Sequence, residues 1–150
     1  MSSWREIASP QAQNDLDGLV GTVLGFAQQQ LAAHGEFFPF AAVVNIDGTT
    51  EMVAARPEPH DEHPAATDVL NACVAALTDR RDTIRAGAVV SDVRLRAPAS
   101  GDAIQADLEH AEGHALTIVL PYAKKRRNKI DYAPIQAHAG HHRIWPAPDR

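Results

Sequence analysis

The 150-residue chain has a single cysteine, Cys73, and no apolar run that approaches the roughly 20 residues needed to cross a bilayer. One cysteine excludes an internal disulfide and a thiolate metal cluster within one chain. The first ten residues lack the basic start and apolar stretch of a secretory signal. We therefore expect a cytoplasmic protein that makes no membrane contact.

Motifs for nucleophilic and nucleotide chemistry are missing as well. The sequence contains no GxSxG elbow, and it contains neither GxxxxGK[ST] nor GxGxxG. Cys73 falls on the apolar stripe of a predicted helix, where cysteine packs as a small hydrophobe. The sequence thus predicts no catalytic residue and no cofactor, and it favours a protein that is not an enzyme.

Apolar spacing and capping residues predict two amphipathic helices. Ser9-Pro10 begins the first, whose apolar residues recur at spacings of three and four, and His34-Gly35 ends it. Three glycines within it, Gly18, Gly21 and Gly25, suggest that another backbone packs close by. The second helix has Pro64 near its first turn, and Gly87 is its expected end.

Two hairpins are predicted. Asp47-Gly48 lies between two β-prone runs and indicates a two-residue turn that pairs Val43 with Met52. For the second hairpin, a three-residue loop at Ala111-Glu112-Gly113 sets Leu108 against Leu116. A two-residue turn would mix apolar and charged residues on each face, so we choose the longer loop.

These elements occur in the order α-β-β-α-β-β-β, with residues 129–133 as a candidate for one further strand. We predict a single α+β domain over residues 1–150, in which two helices cover an antiparallel sheet of about five strands. Residues 1–9 and 147–150 are expected to be loosely ordered. In the tail, Ile144 and Trp145 are expected to pack onto the body.

The element order resembles the roadblock and profilin-like layouts, in which helices cover an antiparallel sheet. The stretches Phe38-Pro39-Phe40 and Leu120-Pro121-Tyr122 also resemble those of small uncharacterised bacterial α+β proteins. The first resemblance is one of element order only, without a roadblock motif, and the proteins of the second bring no assigned activity. Both therefore imply a fold alone, and a fold does not imply a function.

Histidine is over-represented, at 8 of 150 residues. The predicted three-residue loop places His110 directly across from His114, with Cβ atoms roughly 5 Å apart, and two imidazoles at that distance can share a divalent metal. Glu112 is a candidate third ligand, whereas Glu109 should point to the opposite face. The alternative is that both histidines simply flank a solvent-exposed turn.

Two further histidine clusters are present, and neither has the HExxH spacing. His60-Asp61-Glu62-His63 precedes the second helix, where its carboxylates are expected to interact with the helix dipole. His138, His141 and His142 form the other cluster, near the end of the chain.

Charge is unevenly distributed along the chain. Residues 1–123 hold 7 basic and 17 acidic residues, and residues 124–150 hold 7 basic and 2 acidic residues. An acidic majority repels nucleic acids, so general nucleic-acid binding is not expected. The basic excess is concentrated in one run, which is either a solvated hairpin loop or a contact for an anion or a partner. This run contains Lys124, Lys125, Arg126, Arg127 and Lys129.

The sequence therefore favours a non-catalytic binding or interaction protein. Its partner is expected to be another protein or a second copy, the latter giving a homodimer through a sheet edge. One alternative is an acidic inhibitor of the immunity or antitoxin type, because acidic inhibitors use charge to speed their encounter with basic targets. The other is a metal enzyme or sensor that uses histidine.

Overall fold

An antiparallel sheet forms the centre of the protein, and helices pack on both of its faces. The computed structural model describes residues 4–55, 65–95 and 100–146. The helices are α1 (Trp4–Ile7), α2 (Pro10–His34) and α3 (Ala66–Asp79). The strands are β1 (Phe40–Asn45), β2 (Thr50–Val53), β3 (Ile84–Arg94), β4 (Asp102–His110), β5 (His114–Lys124), β6 (Ile130–Tyr132) and β7 (Gln136–Ala139).

The α+β class and the antiparallel sheet are confirmed, and the predicted numbers and order of the elements are only roughly matched. Strand β6 lies within the candidate further strand at residues 129–133. The described residues form seven strands and three α-helices, where about five and two were expected. The strands lie in the order β2-β1-β3-β4-β5-β6, and β7 pairs with β5 beside β6. Helix α1 and strand β7 have four residues each, which is too short for a hydrophobic period to appear.

Helix α2 begins and ends where its sequence predicts. The Ser9 hydroxyl accepts a hydrogen bond from the Ala12 N–H at 3.0 Å, as an N-cap should. At the other end Gly35 adopts a left-handed φ of 75°, and its N–H donates to the Leu31 carbonyl at 2.8 Å. No helix in the described ranges is long and apolar enough to span a membrane.

The two faces of the sheet carry separate apolar clusters. Helix α2 packs its stripe against alternate residues of β1, β3, β4 and β5. Helix α3 packs against the opposite face of β1 and β3, where Cys73 and Leu77 are fully buried beside Ile144. The predicted packing of Ile144 onto the body is therefore confirmed.

The expectation that Gly87 ends the second helix is wrong. Helix α3 ends at Asp79, and Gly87 lies inside β3. A Cβ atom at Gly87 would lie 3.0 Å from Leu77 Cδ1 and 3.3 Å from Ile144 Cδ1. Glycine at this position thus permits α3 and the C-terminal segment to approach the sheet closely.

The first hairpin has a register different from the predicted one. Met52 pairs with Ala42 and not with Val43. Gly48 has a left-handed φ of 91°, and its N–H donates to the Asn45 carbonyl at 2.9 Å. These features define a three-residue loop ending in a glycine bulge, which shifts the pairing by one residue relative to a two-residue turn.

The second hairpin has the predicted register. Leu108 pairs with Leu116, and His110 pairs with His114. Gly113 has a left-handed φ of 107°, as the bulge of a three-residue loop requires. Both histidines therefore lie at the end of the sheet nearest the β4–β5 turn.

The three glycines of α2 do not mark a close backbone contact. Gly18, Gly21 and Gly25 all lie on the exposed face of the helix. Within the described residues, no atom comes within 4 Å of a Cβ built at any of these positions. The expectation of tight packing along this face is therefore wrong.

Gly140, directly after β7, lies against the backbone of β5. A Cβ atom there would lie 2.6–2.8 Å from backbone atoms of Leu116. We expect Gly140→Ala to lower the free energy of unfolding by about 2 kcal/mol, because backbone must shift to relieve the overlap. Urea denaturation measures this loss.

The matched control is Gly18→Ala, which adds the same methyl group in open space on a helix. It should raise the free energy of unfolding by about 0.5–1 kcal/mol. If Gly140→Ala proved as stable as the parent protein, the close approach of the segment after β7 to β5 would be contradicted.

Candidate functional site

Three ionisable side chains meet where α2 crosses the ends of β3 and β4. Asp15 Oδ1 accepts a hydrogen bond from Arg85 Nη2 at 2.7 Å, and Asp15 Oδ2 lies 2.9 Å from His110 Nε2. The Asp15 side chain is 7% exposed and that of His110 is 3% exposed. Two donors thus satisfy a buried carboxylate, which offsets the cost of removing its charge from water.

Both ring nitrogens of His110 have partners within the protein. His110 Nδ1 accepts a hydrogen bond from the Glu112 N–H at 3.1 Å. The ring proton is accordingly assigned to Nε2, which donates to Asp15. A general base needs a ring nitrogen directed at a substrate, whereas His110 uses both to join α2 to the β4–β5 turn.

The β4–β5 turn is also tied to the start of α2. The Ser9 hydroxyl donates to Glu112 Oε2 at 2.6 Å, and this hydrogen bond lowers the pKa of the Glu112 carboxyl. The other carboxylate oxygen lies 3.7 Å from His114 Nε2. Glu112 therefore links the N-cap of α2 to the second histidine of the pair.

The structure brings the two predicted metal ligands together but gives one of them other partners. The ring centroids of His110 and His114 are 6.5 Å apart. Hydrogen bonds to Asp15 and to the backbone occupy His110, as described above. No group of three or more His, Cys, Asp or Glu side chains in the described ranges is arranged to hold a metal ion. A metal at this pair stays a prediction.

Of the two other histidine clusters, only the one near the end of the chain lies within the described residues. His60 and His63 lie outside the described residues. His138 is exposed, and its Nε2 lies 3.4 Å from Gln136 Oε1. His141 is exposed too, and His142 is half-buried.

Glu109 points to the opposite face of the sheet from His110, as expected, and it holds the C-terminal segment there. Its side chain is buried, and its two oxygens accept hydrogen bonds from the N–H groups of Arg143 (2.9 Å), Ile144 (3.0 and 3.1 Å) and Trp145 (3.2 Å). Arg81 Nη1 donates to the Ile144 carbonyl at 3.2 Å. Residues 143–145 are thereby fixed beside α3.

A phenol–carboxylate pair lies near the other end of the sheet. Tyr122 Oη donates to Asp92 Oδ1 at 2.6 Å and joins β5 to β3 across β4. Burial raises the pKa of Asp92, and burial together with this hydrogen bond raises the pKa of Tyr122. Because the phenol stays protonated at neutral pH, it acts as a donor that crosslinks strands.

The basic run occupies the turn between β5 and β6, and we refer to residues 124–129 as the basic turn. Lys124, Lys125, Arg126, Arg127 and Lys129 are all exposed. Arg127 has a left-handed φ of 61°, which costs about 1–2 kcal/mol for a non-glycine residue. Among the described residues, the five cations make a single contact with a carboxylate, at 4.0 Å between Lys125 Nζ and Asp131 Oδ2.

The basic turn and the histidine pair could be predicted from the sequence. The participation of Asp15 and Arg85 and the role of Glu109 were not predicted. Asp15 lies three residues after Ala12 and four before Leu19, so its position is in phase with the apolar stripe of α2. A carboxylate at such a position is a signal of a buried ion pair. Its partner Arg85, 70 residues away, carries no comparable signal.

The buried side chains of Asp15, His110 and Glu109 are hydrogen-bonded within the fold, whereas the cations of the basic turn face outward. Comparisons with protein-family models, with curated proteins and with solved structures find no match for this chain.

Proposed function

We propose that this is a non-catalytic binding protein whose contact surface is the basic turn. The observation that carries the proposal is the exposure of five cationic side chains on one turn, with a single carboxylate within 4.0 Å among the described residues. Residues 1–123 have a net charge of −10, so this turn is a local exception to the charge of the chain. Concentrated charge of one sign steers and orients partners of the opposite sign.

The buried ionisable groups support the non-catalytic part of the proposal. Catalysis by a carboxylate or an imidazole needs a group directed at a substrate. Asp15 and His110 bond to each other, and Glu109 bonds to three backbone N–H groups. Their hydrogen bonds hold elements of the fold together.

The partner that this surface favours is a protein with an acidic segment. A short acidic segment can be confined to this turn of six residues, whereas a nucleic acid would extend beyond it over the acidic majority of the molecule, which opposes its binding. Homodimer formation stays a prediction, and so does the alternative of an acidic inhibitor.

The double substitution Arg126→Glu/Arg127→Glu should abolish most of the binding to an acidic polypeptide. With poly-L-glutamate as the probe, we expect the dissociation constant to rise about tenfold or more, since each reversed charge replaces attraction by repulsion. Fluorescence anisotropy measures the constant. Backbone NMR shifts on titration should be confined to residues 124–129 and their neighbours.

The control is Arg5→Glu/Arg143→Glu, which changes the net charge by the same amount at two exposed positions near the β4–β5 turn, at the opposite end of the sheet from the basic turn. It should change the dissociation constant by less than about threefold. Equal weakening by both double variants would show that bulk charge alone governs the interaction. That result, or an absence of binding by the parent protein, would refute the proposed function.

A further inference from the structure

The basic turn leads directly into the last strands of the sheet. Strands β6 and β7 both pair with the same edge of β5, and in the described part of the chain no strand lies beyond them. All residues from 131 to 139 are exposed. An edge strand presents unpaired backbone donors and acceptors, which can bind a further strand.

The register shows which backbone groups of β6 point outward. Ala133 donates its N–H to the Pro121 carbonyl at 2.9 Å, so the two form a hydrogen-bonded pair. Bonded and non-bonded pairs alternate along an antiparallel ladder. The N–H and C=O groups of Ile130 and Tyr132, which lie across from Lys124 and Tyr122, therefore point away from β5.

The side chains along this edge suit an extended polypeptide. Tyr132 is 37% exposed and Ile135 is 51% exposed, so apolar surface flanks the outward backbone groups. The one carboxylate between residues 130 and 139 is Asp131, which lies beside Lys125. The edge thus has exposed apolar side chains beside its outward backbone groups and is strongly cationic where it joins the basic turn.

We propose that an acidic segment of a partner protein binds as an added strand on the outer edge of β6, with its carboxylates on the basic turn. This inference rests on the proposed function and names the mode of recognition and the class of partner. Main-chain hydrogen bonds to Ile130 and Tyr132 fix the direction and register of the segment, and the basic turn selects its charge. A membrane surface or a nucleic acid would use the charge but has no peptide groups for the edge.

The probe for this mode is a fluorescein-labelled eight-residue peptide of alternating glutamate and valine. Tyr132→Pro removes the outward N–H, and proline is tolerated where an edge strand faces solvent. Tyr132→Val is the matched control, because it removes the phenol and keeps the N–H. We expect Tyr132→Pro to bind the peptide about tenfold more weakly than Tyr132→Val, as expected for the loss of a main-chain hydrogen bond and of strand geometry.

A second measurement keeps the test independent of how well the proline variant folds. In the parent protein, the peptide should slow hydrogen exchange at the amides of Ile130 and Tyr132. Polyacrylate is a carboxylate polymer without peptide groups, and its binding by Tyr132→Pro should remain within about threefold of that by Tyr132→Val. If the two Tyr132 variants bound the peptide equally well, and the peptide did not slow exchange at Ile130 and Tyr132 in the parent protein, the added strand would be overturned. The proposed function would not be affected by that result. Peptide binding that Arg126→Glu/Arg127→Glu leaves unchanged would overturn the role of the basic turn.

A second copy of the chain is the competing occupant of this edge. Light scattering distinguishes it, because the single chain has a mass of 16.2 kDa. A dimer in which the Tyr132 amide is already protected from exchange, without peptide, would assign the edge to self-association and overturn the acidic-partner proposal. A Tyr132 amide that exchanges rapidly without peptide is the result we expect, whether the chain is a monomer or forms a dimer through another surface.

Discussion

Asp15→Ala should lower the free energy of unfolding by about 3 kcal/mol, which is the low end of the cost of breaking a buried ion pair. The Asp15 carboxylate is the acceptor for both Arg85 and His110. Its removal leaves a guanidinium and an imidazole without their shared partner inside the protein. We expect the low end of the range because the Arg85 side chain is 22% exposed and retains access to water. Urea denaturation at pH 7 measures the change.

Asp17→Ala is the control for this substitution. Asp17 is on the same helix and forms an ion pair with Arg5 at 2.6 Å, but both side chains are about half exposed, at 50% and 52%. Exposed pairs contribute about 0–1 kcal/mol, so this variant should be close to the parent protein in stability. If Asp15→Ala were no more destabilising than Asp17→Ala, the buried network would not contribute to the stability of the fold.

Glu109→Ala should release the C-terminal segment from the sheet. Three backbone N–H groups, from Arg143 to Trp145, lose their acceptor together. Each unsatisfied buried donor costs about 1–3 kcal/mol, but water can reach the N–H groups of a detached segment. We therefore expect the free energy of unfolding to fall by about 3 kcal/mol. Urea denaturation gives the global loss, and hydrogen exchange at residues 143–145 should accelerate before the rest of the sheet unfolds.

Glu112→Ala is the matched control, because Glu112 is a more exposed glutamate whose contacts are with Ser9 and His114 on the other side of the fold. It should leave exchange at residues 143–145 unchanged. Normal protection of these amides in Glu109→Ala would mean that Ile144, through its apolar contacts, holds the segment without the carboxylate.

The parts of the fold that could be predicted are those set by local chemistry. Ser9 and Gly35 cap α2 through contacts within four residues, so the sequence beside each end is sufficient to locate it. The β4–β5 register was predictable because its alternating apolar residues fit only one loop length. In the first hairpin both faces are apolar near β1, so the pattern could not distinguish Ala42 from Val43 as the partner of Met52.

For the candidate site too, the residues that could be predicted are those whose signal is local in the sequence. The basic turn is a contiguous run, and the sequence alone identified it. The Asp15–Arg85–His110 network depends on side chains from three elements, and Arg85 and His110 lie 70 and 95 positions after Asp15 in the sequence. Contacts between residues so far apart in the sequence follow from the tertiary packing of α2 across the sheet. Local periodicity carries no information about that packing.

The position of Cys73 makes its thiol a reporter of how α3 moves. It is fully buried between α3 and β1, and burial raises the pKa of the thiol. A thiol that is both inaccessible and protonated reacts slowly with alkylating reagents. Its rate of alkylation therefore follows the separation of α3 from the sheet. Since the chain contains no second cysteine, one introduced on the exposed face of α2 could carry a fluorophore without competition from the native thiol.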